Sequence, residues 1–167
     1  MATLKDSKQA KVRVDYEGRV HKHFHGKSGQ QRFDNEVRML EFLAQQGCDF
    51  VPRVLHKDPA KQYLVTTNCG KPVDTISPDK VASLFAALEQ YGVRHEDPEA
   101  RNITYNPWQG RFNIIDFEFA TFVASGEGLT LNDIEIPRGA MDELEELERK
   151  KRERQMQARP PQPPDTH

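Results

Sequence analysis

The sequence predicts an α+β fold, and three observations lead to that prediction. Short β-prone runs come in pairs around turn residues, two longer segments have the apolar spacing of a helix, and strands follow strands directly. Because strands and helices do not alternate one by one, a doubly wound parallel sheet is not expected. The predicted order is strand, strand, helix, strand, strand, helix, loop, strand, strand, and then a tail.

The first half of the chain contains two predicted hairpins with one helix between them. In KVRVDYEGRVHKHFH, residues 11–25, apolar and polar residues alternate around a turn where Gly18 can adopt a positive φ. The segment QRFDNEVRMLEFLAQQG, residues 31–47, has apolar residues at a helical period and ends in a glycine. The second hairpin is predicted for residues 51–68, with its turn at KDPAK.

The second half of the chain begins with a clear helix signal. In SPDKVASLFAALEQYG, residues 77–92, Ser77 is a typical N-cap, Pro78 suits the first helical position, and Gly92 follows the end. The runs NITYN and RFNIID flank the turn NPWQG and predict a third hairpin.

Length and charge indicate one compact domain followed by a tail. We expect residues 1–10 to be an extension, 11–137 to form the domain, and 138–167 to form a charged helix and a disordered proline-rich end. The tail helix is supported by acidic and basic residues four positions apart, such as Glu145 and Arg149. This tail is the expected contact for a partner.

The composition also limits the classes of partner and compartment. A formal net charge of −2 gives no basic field, so nucleic acid is not expected as a partner. No apolar run approaches the ~18 residues needed to span a membrane, and the two cysteines have no redox or metal spacing. We therefore expect a cytoplasmic protein with reduced thiols. The basic run at Arg149–Arg154 leaves nuclear import open.

Chemistry-bearing residues concentrate in VRHEDPEARNITYNPWQGRFNIIDFEFA, residues 93–120. His95, Asp97 and Asn102 lie in one predicted loop, and Asp116 follows the apolar strand of the next hairpin. Phosphoryl transfer needs a carboxylate for the attacking hydroxyl, together with carboxylate and amide oxygens for Mg²⁺. A hairpin brings the residues at its two ends together, so Asn102 and Asp116 can share one cation.

The pattern H-x-D-x-x-x-x-N followed by I-I-D-F resembles the catalytic and metal-binding loops of the protein-kinase-like superfamily. With Glu118 in the place of the usual glycine, IIDFEFA is similar to choline kinases and aminoglycoside phosphotransferases. The resemblance implies Asp97 as catalytic base, Asn102 and Asp116 as Mg²⁺ ligands, and His95 as a brace in the catalytic loop.

The resemblance extends to the N-terminal half of the chain. Val20-His21-Lys22 is similar to the strand motif whose first side chain contacts adenine and whose lysine binds the phosphates, and Glu36 lies where the helix glutamate that pairs with the lysine would be. Val65 to Cys69, with Thr67 between them, would line the adenine edge. The implied fold is a minimal kinase, with an N-lobe at 11–69 and a reduced C-lobe at 70–137.

Some family features are missing. VDYEGRV, residues 14–20, has one glycine instead of a glycine-rich loop, and no large helical C-lobe follows Asp116. The implied function is an ATP- and Mg²⁺-dependent phosphotransferase acting on Ser/Thr hydroxyls of a protein, because the chain lacks the bulk to enclose a small substrate. A small alcohol of the choline or aminoglycoside type stays open as acceptor, and so does a pseudokinase that binds a partner without catalysis.

A metal site on the first hairpin is a further alternative. His21, His23 and His25 alternate along the strand and therefore share one face, which could hold a metal ion. The same period places Lys22 on the other face with Val20, where it is expected to point into a nucleotide cleft.

Overall fold

The computed structural model of the protein describes residues 2–6, 9–134 and 149–150. These residues form eleven β-strands and two α-helices, with short 3-10 turns at Ala100–Asn102 and Leu131–Asp133. The helices are α1 (Gly29–Gln45) and α2 (Pro78–Glu89). The strands are β1 (Ala2–Asp6), β2 (Ala10–Val14), β3 (Val20–Phe24), β4 (Val54–Asp58), β5 (Tyr63–Thr66), β6 (Lys71–Pro72), β7 (Val93–His95), β8 (Ile103–Asn106), β9 (Arg111–Ile114), β10 (Ala120–Phe122) and β11 (Gly128–Leu129).

The first half of the chain forms a five-stranded antiparallel sheet in the order β1-β2-β3-β5-β4. The two predicted hairpins are β2–β3 and β4–β5, and they join where Lys22 of β3 pairs with Leu64 of β5. Strand β1 was not predicted and lies within the expected extension at 1–10. An edge strand needs little apolar alternation, and ATLKD has almost none.

Helix α1 follows the first hairpin and buries one face. It begins two residues before the predicted segment and ends at Gln45, where Gly47 adopts a φ of 76° in the left-handed region. The buried face carries apolar residues such as Phe33, Leu40 and Leu43, and also three polar side chains that contact the site described below.

The second half of the chain builds two small sheets around α2. Ser77 caps α2 as predicted, because its Oγ accepts a hydrogen bond from the Lys80 amide at 3.2 Å. The predicted hairpin β8–β9 pairs with β6, and a separate sheet of order β11-β10-β7 was not predicted because its strands have only two or three residues each.

One hydrophobic core joins the two halves. It takes residues from α1, from the large sheet, from α2 and from the β8–β9 hairpin. Its completely buried members include Met39, Leu40, Leu43, Leu88, Val93, Ile103, Ile114 and Phe117. The α+β prediction is therefore confirmed.

The chain divides into two units, 1–134 and 135–167. The predicted tail lies outside the described residues apart from Arg149 and Lys150, which are helical and exposed. In the part of the chain that the structure describes, neither α1 nor α2 has the length and apolar character needed to cross a membrane.

Candidate active site

Lys22 and Glu36 form a buried ion pair between the large sheet and α1. Lys22 lies in the middle of β3, and its Nζ is 2.7 Å from Oε2 of Glu36 on α1. The Lys22 side chain is 12% exposed and that of Glu36 6%. The structure therefore brings together the lysine and the helix glutamate that were singled out from the sequence.

Two further carboxylates contact the same ammonium. Lys22 Nζ is 2.6 Å from Oε1 of Glu118 and 3.2 Å from Oδ1 of Asp116. Ligand oxygens of Glu36, Asp116 and Glu118 lie within 4.8 Å of one another, a spacing that could hold a metal ion. The ammonium of Lys22 contacts all three, so it offsets part of the negative charge of this cluster.

Burial and the charges of this cluster shift the pKa values of Lys22 and Glu36. Burial alone would lower the pKa of Lys22, but the negative charges of Asp116, Glu36 and Glu118 outweigh it and hold the pKa well above its ordinary value. Burial raises the pKa of Glu36 to about 7, against the opposing effect of the Lys22 charge. Lys22 is therefore a cation at neutral pH.

Glu118 is fixed from the other side by α1. Its Oε2 lies 3.1 Å from Nη1 of Arg32, which is completely buried, and its backbone carbonyl accepts a 3.0 Å hydrogen bond from the Asn35 side chain. The sequence motifs identify Glu118 only as a replacement for glycine and do not point to Arg32 or Asn35. The sequence does contain an indication of their role, because the polar residues at 32, 35 and 36 share one helix face with apolar core residues.

Asp97 lies in the loop after β7 and is held by two neighbours in that loop. Nη2 of Arg101 lies 2.6 Å and 2.7 Å from its two carboxylate oxygens, and the Asn102 amide donates to its backbone carbonyl at 2.8 Å and to Oδ2 at 3.0 Å. The nitrogen of the Asn102 side chain is thus directed toward Asp97. The Asn102 side-chain oxygen is the group left to act as a ligand.

His95 connects the Asp97 loop to the Asp116 segment. Its Nδ1 accepts a hydrogen bond from the Asp97 amide at 3.1 Å, so its Nε2 carries the proton and donates to the Ile115 carbonyl at 3.1 Å. Burial lowers the pKa of His95, which favours this neutral form. In the structure His95 connects the two loops through these two hydrogen bonds.

Asp116 has a strained backbone. Its φ is 66°, in the left-handed region that non-glycine residues rarely adopt. Hydrogen bonds on both sides maintain this conformation, since the Ile115 amide donates to the Asn102 carbonyl at 2.9 Å and the Phe117 amide donates to Glu36 Oε1 at 3.4 Å. Such strain is common at functional sites, where the surroundings hold it in place.

The strand register shows which residues of the predicted adenine edge share a face with Lys22. Val20 pairs with Thr66, and His21 pairs with Val65. Paired residues of antiparallel strands share a face, so Val65 lies on the face opposite to Lys22, and Thr66 lies on the face of Val20 and Lys22. The place of Val65 at the adenine edge stays a prediction, with its side chain on the face away from Lys22.

The segment after β5 is held by its backbone. The Thr67 amide donates to the Arg53 carbonyl at 3.0 Å. The Cys69 carbonyl accepts from Thr104 Oγ1 at 2.7 Å and from the Asn113 side chain at 3.2 Å. Among the hydrogen bonds of residues 9–134, none uses the Thr67 carbonyl or the Cys69 amide.

The three histidines of β3 and the residue after it do not form a joint metal-ligand set in the part of the chain that the structure describes. Nε2 of His21 contacts Asp15 Oδ2 at 2.7 Å and its Nδ1 bonds to the Tyr63 hydroxyl, so both ring nitrogens have partners. The His23 ring is stacked on Tyr63 with 4.4 Å between ring centroids. These contacts favour a role for His21 in bracing the β2–β3 turn.

A groove of about 900 Å³ adjoins the segment after β5. Its walls include Gly18 of the β2–β3 turn, Asn68, and the β8–β9 hairpin with Tyr105 and Trp108. Trp108 is 95% exposed, so it does not pack into the turn. The groove lies beside the predicted adenine edge and is not lined by Lys22.

Comparison with known proteins identifies the fold. No protein-family model and no curated protein matches the sequence. The chain resembles the crystal structure of the Rio2 kinase-ADP/Mg²⁺-phosphoaspartate complex from Chaetomium thermophilum, with a TM-score of 0.51 and 17% sequence identity over 71% of this chain and 47% of that one. The fold is therefore protein-kinase-like, and the chain spans about half the length of that kinase.

Proposed function

We propose that the protein is an ATP- and Mg²⁺-dependent phosphotransferase that acts on a hydroxyl group. The observation that carries the proposal is the Lys22–Glu36 ion pair, 2.7 Å between Nζ and Oε2, directly beside Asp116. In kinases, a strand lysine fixed by a helix glutamate binds the nucleotide phosphates. A buried Lys22 that is charged at neutral pH supports this role.

Asn102 and Asp116 fit the ligand requirements of Mg²⁺. Both offer oxygen, which Mg²⁺ prefers, and the Asp97 contacts leave the Asn102 oxygen available. The Ile115–Asn102 backbone hydrogen bond ties the two ligand segments together. When bound, Mg²⁺ would neutralise charge on the transferred phosphoryl group.

The segment after β5 has the groups to bind an adenine edge. Its unused Thr67 carbonyl and Cys69 amide are an acceptor and a donor two residues apart, which matches the amino donor and ring-nitrogen acceptor of adenine. Val20 and Thr66 would contact the base from β3 and β5.

Asp97 would orient the acceptor hydroxyl and take its proton. We favour the Ser/Thr hydroxyl of a protein, since residues 117–134 contain only short strands and a 3-10 turn with which to enclose a substrate. A small alcohol remains the second acceptor class.

The test is phosphoryl transfer from radiolabelled Mg·ATP by the full chain, with ADP release measured in parallel. Acceptors would be a Ser/Thr peptide library and a panel of choline and aminoglycosides. We expect ADP release that Asp116→Asn reduces by at least about 100-fold, because the main Mg²⁺ ligand is lost. Turnover that survives this substitution would contradict the proposal.

One observation favours a second candidate, a pseudokinase that binds nucleotide without transfer. Both carboxylate oxygens of Asp97 are bound by Arg101, which leaves the proposed base partly occupied. Mg·ATP binding without any ADP release, in both wild type and Arg101→Ala, would support this candidate.

A further inference from the structure

Glu118 is the least expected member of the cluster around Lys22. Its carboxylate makes the shortest contact with the ammonium, at 2.6 Å, and its side chain is 8% exposed. Asp116 contacts the same ammonium at 3.2 Å and is 33% exposed. Glu118 is therefore the more buried carboxylate and the closer one to Lys22, although it is not a ligand of the proposed Mg²⁺ site.

Arg32 holds Glu118 in place and links it to the sheet that carries Lys22. While Nη1 of Arg32 contacts Glu118, its Nη2 donates to the backbone carbonyls of His25 at 2.7 Å and Gln9 at 3.1 Å. These carbonyls lie at the ends of β3 and β2. Glu118 thus lies between two buried cations, one on each carboxylate oxygen.

We infer that Glu118, held by Arg32, is a positioning residue that sets the ammonium of Lys22 for the phosphates of a nucleoside triphosphate. The identity of the ligand as a nucleoside triphosphate rests on the proposed function. The contact between Glu118 and Lys22 is independent of that proposal. If Asp116 is engaged by a cation, Lys22 keeps two fixed carboxylates, Glu36 from α1 and Glu118 from the chain after β9. Together they hold Nζ from two directions.

The test uses Glu118→Gln in the full chain, with two readouts. The first is the rate at which Lys22 is acylated by a small amine-reactive ester, followed by peptide mass spectrometry. The second is the dissociation constant for Mg·ATP from titration calorimetry. We expect acylation about fivefold faster and affinity about tenfold weaker, since a charge-assisted hydrogen bond to Lys22 is lost.

Glu41→Gln is the matched control. It removes another glutamate–lysine pair of α1, with Lys57, at a position where both side chains are more than 40% exposed. We expect neither readout to change in this variant.

A double-mutant cycle separates positioning from a general structural role. In a Lys22→Met background, Glu118→Gln should not weaken Mg·ATP binding further, because its effect passes through Lys22. A loss that persists in this background, or an unchanged acylation rate in the single variant, would overturn the inference.

The test can still be interpreted if the single variant unfolds or if wild type does not bind Mg·ATP. Removing one charge of a buried pair can unfold a protein, so Arg32→Met/Glu118→Gln, which removes both charges, replaces the single variant if its thermal melt shows no folded state. If wild type does not bind Mg·ATP, the proposed function fails, and the acylation rates still decide whether Glu118 positions Lys22.

Discussion

Glu36 accepts a hydrogen bond from Lys22 at 2.7 Å although both side chains are almost completely buried. The pair joins helix α1 to strand β3, which carries the lysine proposed to contact the phosphates. Burial disfavours the charged form of Glu36 and raises its pKa to about 7. The pair should therefore respond to pH near neutrality.

Glu36 should make folding stability depend on pH between its unfolded and folded pKa values. Its folded pKa of about 7 lies above the ordinary value of 4.5, so its stabilising contribution is complete below pH 4.5 and is lost as pH rises through 7. The raised pKa of Lys22 adds a contribution that is complete below its ordinary pKa of 10.5 and is lost only at alkaline pH, so it stays constant from pH 5 to 8.

Urea unfolding of wild type and Glu36→Gln from pH 5 to 8 checks this. The difference in unfolding free energy, wild type minus variant, should fall by roughly 2 kcal/mol and then level off. A difference that stays constant, or rises with pH, would contradict the assignment.

Arg101 should matter for transfer and little for stability. It bonds to both oxygens of Asp97, but its side chain is 67% exposed, and exposed ion pairs contribute less than about 1 kcal/mol. We expect Arg101→Lys to lower kcat about tenfold because the two hydrogen bonds from Nη2 that orient Asp97 are disturbed, and Asp97→Asn to lower it at least about 100-fold. ADP release at saturating Mg·ATP measures both, and equal stability in urea is the control.

Gly70 should tolerate no side chain. Its φ is 96°, and a Cβ would lie 2.1 Å from the Tyr105 carbonyl oxygen. We expect Gly70→Ala to cost about 3 kcal/mol of unfolding free energy through backbone strain and this clash. Gly110→Ala is the control, because Gly110 has a φ of 66° with nothing within 4 Å of an added Cβ. Equal costs for the two variants would show that the clash is relieved.

Asp15 should hold the β2–β3 turn where a kinase would have a flexible glycine-rich loop. Its Oδ1 accepts from the Glu17 and Arg19 amides at 2.9 Å, and its hydrogen bond with His21 is the main cause of a pKa well below the ordinary value of 3.8. The contribution of Asp15 is thus complete above pH 3.8 and lost only as pH falls below it. At pH 7, Asp15→Ala should speed hydrogen exchange of both amides, while Glu17→Gln should leave exchange unchanged.

The residues whose positions could be anticipated are those set by local periods. The period of two along β3 placed Lys22 opposite the histidines. The helical period predicted α1, and the family resemblance singled out Glu36 on it. The spacing from Asp97 to Asn102 kept both in one loop. These relationships need only the geometry of a single element.

The features that could not be anticipated depend on how distant elements meet. Glu118 reaches Lys22 only because the chain after β9 turns at the strained Asp116 backbone. The face of Val65 was set by the register between β3 and β5, which the sequence of β5 alone does not encode. Strands β7 and β10 are too short to show a period, and they are strands because they pair with each other.

Three polar side chains of one α1 face, Arg32, Asn35 and Glu36, bond to the segment at 117–120. Displacing α1 would break all of these buried contacts together. A conformation with α1 moved away from this segment would therefore be too rarely populated to act as an inactive state. Helix α1 would therefore keep Glu36 beside Lys22 before any ligand binds.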